Sequence, residues 1–229
     1  MGEPYDLHFS RKDWDLDFRA ELYKEEFFGT DAWTKQRDDM VLPWVESTRD
    51  ELKKLLWLKE HERPEHLGEI IREQQAPVMI SYWYPLLKFA PARRPATTEL
   101  LYASIYLAGS VATYSKSRFN RARPWVLEPR LSPPIPPPGL LAYPGGHATQ
   151  MHLMAKLLAD LAGVDLKGSL IERRADEVAK NRERAGVNYP SDTDAGRTLA
   201  DRIFDILRDN CPEFGSMLMQ AKQAEWNTA

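Results

Sequence analysis

No stretch of this chain alternates apolar and polar residues as a half-buried strand must, and runs rich in Val, Ile and Thr are missing. Helical spacing dominates instead. From Thr97 to Asn120 the chain reads as one long helix. Thr97-Thr98-Glu99 opens it, Leu100, Leu101, Ile105, Leu107 and Val111 supply its apolar face, and Pro124 ends it. Shorter helices are expected from Pro43 to Glu60, which Pro64 punctuates, and from His66 to Gln75. Further helices are expected over Ala148–Ala162 and over Leu166–Ala185, where Gly186 stops the chain. Two more follow, one from a cap at Ser191 or Asp192 to Asp209 and one from Glu213 to Trp226. Between Pro129 and Pro144, prolines 133, 134, 136, 137 and 138 impose a stiff extended path. A long loop of this kind inside a compact domain usually serves function. The expectation is an all-α helical bundle forming one domain over residues 1–229. Residues 1–75 would be an N-terminal arm with helices, and residues 97–226 the helical core.

Composition narrows the function classes. The chain has 229 residues, 43% of them hydrophobic, which suits one sizeable core rather than two. The net charge of -3 gives no polybasic surface for nucleic acid or membrane, so an anion site must come from local clustering. A single cysteine, Cys211, rules out an internal disulfide and a multi-thiolate zinc site. The histidines lack metal-ligand spacing, so no metal is expected. The most apolar stretches, Pro77–Pro91 and Leu100–Tyr114, fall short of the roughly 20 residues of a membrane span. Met1–Trp14 has no apolar run resembling a secretory signal. The expected location is therefore cytoplasmic, or periplasmic if a leader has been removed. A homo-oligomer is compatible with the pattern. Trp14, Phe18, Phe27, Phe28 and Trp33 are expected to pack the arm onto the core, with a lid over a site as the alternative. Trp83, Tyr84 and the Pro-rich loop are equal candidates for a lid.

Three segments carry the candidate chemistry. In Lys116-Ser-Arg-Phe-Asn-Arg-Ala-Arg123-Pro124, Lys116 and Arg123 lie two turns apart on one helix face and can aim two cations at one anion. In Tyr143-Pro-Gly-Gly-His147-Ala-Thr149, glycines feed straight into a helix start, whose first N–H groups suit an anion. His147 stands there as a candidate acid or base, while His152, five residues on, faces away. In Asn181-Arg182-Glu-Arg-Ala-Gly186-Val-Asn188-Tyr-Pro-Ser191-Asp192, Gly186 and Pro190 break the helix so that Arg182 and Asn188 can share a pocket. Taken singly, these segments read as a solvated basic stripe, an ordinary helix start and a capped turn.

Taken in order, they resemble the three-part signature of the type 2 phosphatidic acid phosphatase superfamily, Lys-x6-Arg-Pro, Pro-Ser-Gly-His and Arg-x5-His-x3-Asp. That superfamily includes bacterial class A acid phosphatases and vanadium haloperoxidases. The resemblance spans about residues 97–226 and is closest to bacterial acid phosphatases through Ala142–Gln150, Gly186–Gly196 and Gln220–Trp226. It implies a bundle of the acid phosphatase and haloperoxidase type. Lys116, Arg123, Arg182 and the backbone N–H groups of Gly145 and Gly146 would hold the phosphoryl oxygens. His147 would protonate the leaving oxygen, Asn188 would occupy the nucleophile position and Asp192 would orient it. The implied partner is a phosphorylated small molecule, with no nucleic acid.

Two positions depart from the signature. Gly145 replaces a serine, losing one hydroxyl donor worth about 1 kcal/mol. Asn188 replaces the nucleophilic histidine, and an amide nitrogen has no available lone pair for attack at phosphorus. The sequence leaves open whether the asparagine was introduced to trap a substrate or is natural. It also leaves open water attack assisted by His147 against a relative that only binds. Vanadate, which needs the missing histidine, is not expected, and this argues against haloperoxidase activity.

Overall fold

The computed structural model describes residues 10–227 except 137 and 140, and it is all-α, with no strand among the described residues. His8, Pro137 and most of the Met1–Trp14 stretch lie outside them. In chain order the helices begin with α1 (Leu16–Phe28), α2 (Asp31–Gln36), α3 (Thr48–His61) and α4 (Arg63–Arg72). The short α5 (Ala76–Ser81) and α6 (Trp83–Leu86) lead to the long α7 (Pro95–Phe119). A four-residue α8 (Pro124–Leu127) precedes α9 (Gly146–Ala162), α10 (Leu170–Arg184), α11 (Pro190–Asn210) and α12 (Pro212–Ala221). No helix among the described residues is long and apolar enough to cross a membrane.

Helix α9 is the hub because it is apolar nearly all round. Met151, Leu153, Met154, Leu157, Leu158 and Leu161 are all buried, and α7, α10 and α11 close on it from different sides. Burying each such side chain is worth about 1.5–3 kcal/mol. Outside this layer α1 packs along α7, where Arg19 and Tyr23 reach the buried Glu99 at 2.5 and 2.9 Å. Phe27 and Trp33 are buried in the same core, so the arm docks through those aromatics, whereas Phe18 stays exposed. Trp83 is fully buried and cannot act as a lid. The chain closes on itself at the C-terminus. There Glu225 caps α7 by accepting from the N–H groups of Ala96 and Thr97 at 2.8 and 2.9 Å.

Prolines shift several expected boundaries. Pro43 does not start a helix; the chain stays irregular until Ser47 caps α3. Pro64 does not separate helices either. It sits in the first turn of α4, where its missing N–H costs nothing. Pro124 likewise opens α8, while α7 ends where expected, capped by Asn120 in the left-handed conformation with φ 50°. The cap of α11 is Tyr189 rather than Ser191 or Asp192, because Pro190 already occupies the first turn.

Candidate functional site

Three chain breaks deliver the side chains. The last turn of α7 carries Lys116, and the extended residues that follow bring Arg121 and Arg123 back toward the bundle. The Tyr143–Pro144 bond is cis, and Gly145 then caps α9, placing His147 in its first turn. Gly186, with φ 75°, turns the chain between α10 and α11 so that Arg182, Asn188 and Asp192 face the same region. A Cβ at Gly186 would also press on Leu131, at 3.0 Å.

The expected residues meet in one buried network. Asn188 is its centre. Its Oδ1 accepts from Arg123 Nη1 at 3.0 Å, and its Nδ2 donates to the Ala142 carbonyl at 3.1 Å and to Asp192 Oδ2 at 3.0 Å. The amide orientation follows from the partners, since an arginine only donates and a carboxylate accepts. Asp192 Oδ2 also accepts from the Tyr189 N–H at 2.8 Å, and its Oδ1 from Arg121 Nη1 at 2.8 Å. Arg121 in turn reaches Glu51 at 2.6 Å and lies over the Tyr189 ring, 3.8 Å from its centre.

Two of the anticipated phosphate ligands are engaged differently from expectation. The Gly145 N–H is not free for an anion, because it donates to the Asp192 carbonyl at 2.8 Å. Lys116 Nζ donates to the carbonyls of Leu141 and Ala142, at 2.9 and 2.7 Å, and to that of Pro144. Its three protons are therefore committed, and it acts on the site as a charge rather than as an open donor. Gly146 stays close to it, its Cβ direction meeting Lys116 Cε at 4.0 Å. As a first-turn residue of α9, Gly146 has no intrahelical acceptor for its N–H.

Arg182 is the outlier. It is 5% exposed, and its Nε and Nη1 have no hydrogen-bond partner. An unsatisfied buried donor costs about 1–3 kcal/mol, more when charged. Burial and the nearby Arg123 charge pull its pKa down to about 10. The same two causes pull Lys116 down to about 7, and Asp192 opposes them. His147 lies well below its usual value, through desolvation first and then through Arg182, with Arg123 and Lys116 adding to it. Its Nε2 contacts the Glu73 carbonyl at 2.9 Å, which can only accept. The neutral ring thus carries its proton on Nε2 and leaves Nδ1 as an acceptor. Burial depresses Lys116, Arg123, Arg182 and His147 alike, and the Arg123 charge adds to the depression of the other three.

Arg121, Glu51 and Glu73 were not foreseen. Arg121 could have been suspected from the basic run before Pro124. Glu51 and Glu73 come from α3 and the end of α4, in a region that matches no family pattern, so only the tertiary structure reveals them. Asn188 Nδ2 donates both of its protons, to the Ala142 carbonyl and to Asp192, so this amide offers no nitrogen lone pair to a ligand. No family model matches the chain, and no curated protein matches it.

Proposed function

We propose that this chain binds the phosphoryl group of a phosphate ester or diphosphate between Arg182, Arg123, Lys116 and the start of α9, as a phosphatase-like protein with the acid phosphatase type of bundle. The observation that carries this reading is the buried Arg182 guanidinium, with Nε and Nη1 unpartnered among like charges. A planar fork without a carboxylate is suited to phosphate oxygens. An arriving dianion would satisfy those donors and offset the like-charge repulsion that depresses Lys116 and His147.

Hydrolysis in this pocket would proceed by direct attack of water on phosphorus. The P–O bond to the leaving group breaks, and His147, charged once the anion is bound, gives its proton to the departing oxygen. The attacking water loses its own proton to solvent. Asn188 would position that water or a phosphoryl oxygen and would form no bond to phosphorus. A second reading, binding without turnover, is favoured by one observation: Asn188 already makes three hydrogen bonds with protein groups.

Titration calorimetry with inorganic phosphate tests the binding. We expect saturable binding that Arg182→Ala abolishes, and no binding in the wild type would end the proposal. A chromogenic phosphate ester then separates the two readings. Slow release by the wild type that falls in His147→Ala supports hydrolysis. Release that appears only in Asn188→His supports the binding protein.

A further inference from the structure

Resting on the phosphate-binding reading, we propose that Glu73 forms an acceptor wall of the anion pocket and selects an oxyanion that carries a proton, such as hydrogen phosphate or a phosphate monoester monoanion, over sulfate. Glu73 is fully buried at the C-terminal end of α4. Its main-chain carbonyl contacts His147 Nε2, which places the residue against the site. Its Oε2 accepts from Asn181 Nδ2 at 3.0 Å, the residue next to Arg182, while its Oε1 has no partner. The carboxyl is near enough to raise the pKa of Arg182, yet no ion pair forms between them. Burial pushes Glu73 above the usual carboxylate range, with Asn181 opposing.

The other groups around the anion position are cationic: Arg182 has open donors at Nε and Nη1, while Arg123 and Lys116 already donate to main-chain carbonyls and add positive charge. A pocket made only of donors would take any tetrahedral dianion alike. A carboxylate changes this, because sulfate at neutral pH offers only lone pairs and would meet the Glu73 oxygen with no proton between them. Hydrogen phosphate brings that proton and can donate it across the contact, satisfying a buried acceptor that is otherwise costly. The competitor for Oε1 is the Tyr82 hydroxyl, which lies beside the Glu73 carboxyl and opposes the rise of its pKa, although neither atom makes a hydrogen bond of normal geometry.

The test is calorimetric titration of the full chain with sodium phosphate and with sodium sulfate, at pH 7 and matched ionic strength. Phosphate should bind about tenfold or more tighter than sulfate, the scale of one well-placed hydrogen bond gained or one repulsive contact avoided. Glu73→Gln preserves shape and the Asn181 contact, and should bring the two anions near parity, chiefly by tightening sulfate. Tyr82→Phe should keep the wild-type preference. Circular dichroism checks that the variants are folded, and the wild-type preference is informative without them. Parity in the wild type, or a preference that survives in folded Glu73→Gln, overturns the role of Glu73 while leaving phosphate binding intact. A preference lost in Tyr82→Phe and kept in Glu73→Gln moves the discrimination to Tyr82 and overturns it too. Failure of both anions to bind the wild type removes the underlying function as well.

Discussion

At Gly145 a single missing side chain links two elements. A Cβ there would lie 2.8 Å from the Asp192 carbonyl oxygen and 3.2 Å from its carbon, and the Gly145 N–H already bonds that oxygen. The serine of the resembling pattern therefore does not fit this backbone without a shift. Gly145→Ser is expected to cost about 1–3 kcal/mol, as overpacking does, and chemical denaturation measures it. A serine variant as stable as the wild type would show that the α11 start yields easily. Asn188 makes the complementary point. Its chemistry as a poor nucleophile follows from residue type alone, but its use as a bridge depends on Arg123 and Ala142 from the two other segments as well as on Asp192 from its own.

At the scale of elements, the site depends on how closely α11 approaches the start of α9. Gly196 is the point of closest approach, where an added Cβ would stand 2.6 Å from the Gly145 carbonyl oxygen and 2.7 Å from Ala148 Cβ. Backbone and a short side chain leave nothing flexible to move aside. Gly196→Ala should destabilise the fold by about 1–3 kcal/mol, and it should weaken phosphate binding because the loop carrying His147 must shift. Thermal melting and calorimetry on the same variant check both effects. Loss of stability with unchanged affinity would mean that the loop and α11 move as one unit. Long helices such as α7 and α9 were legible because their apolar periodicity is strong. Several misplaced boundaries involve proline, which ends a helix in its interior but is welcome in its first turn, and the residue alone does not say which; the start of α10 moved from Leu166 to Leu170 instead because Ser169 caps it.

For the whole molecule the governing quantity is buried positive charge. Lys116, Arg123 and Arg182 are each less than a tenth exposed, and the carboxylate that acts on Lys116 and Arg123, Asp192, is shared with Arg121. Lys116 falls to about 7 in the folded chain against the ordinary lysine value of 10.5, so between those values the unfolded chain binds the extra proton. Stability should then rise with pH across that window, and the charge cost should be fully present below about pH 7. Urea titrations at pH 7 and pH 9 without added anion should show the rise, and Lys116→Met should flatten it. An equal rise in both proteins would place its origin elsewhere. The sequence by itself determined the helical class, the order of the three segments that carry basic and histidine side chains, and that position 188 holds an amide with no nucleophilic lone pair. These rest on local periodicity and residue chemistry, which need no partner to be read. Only the tertiary structure decided that Lys116 spends its protons on carbonyls, that Arg182 Nε and Nη1 are left without partners, and that Glu51 and Glu73 reach the site from the N-terminal helices. Those outcomes depend on which groups compete for each buried donor, and the competitors lie far along the chain.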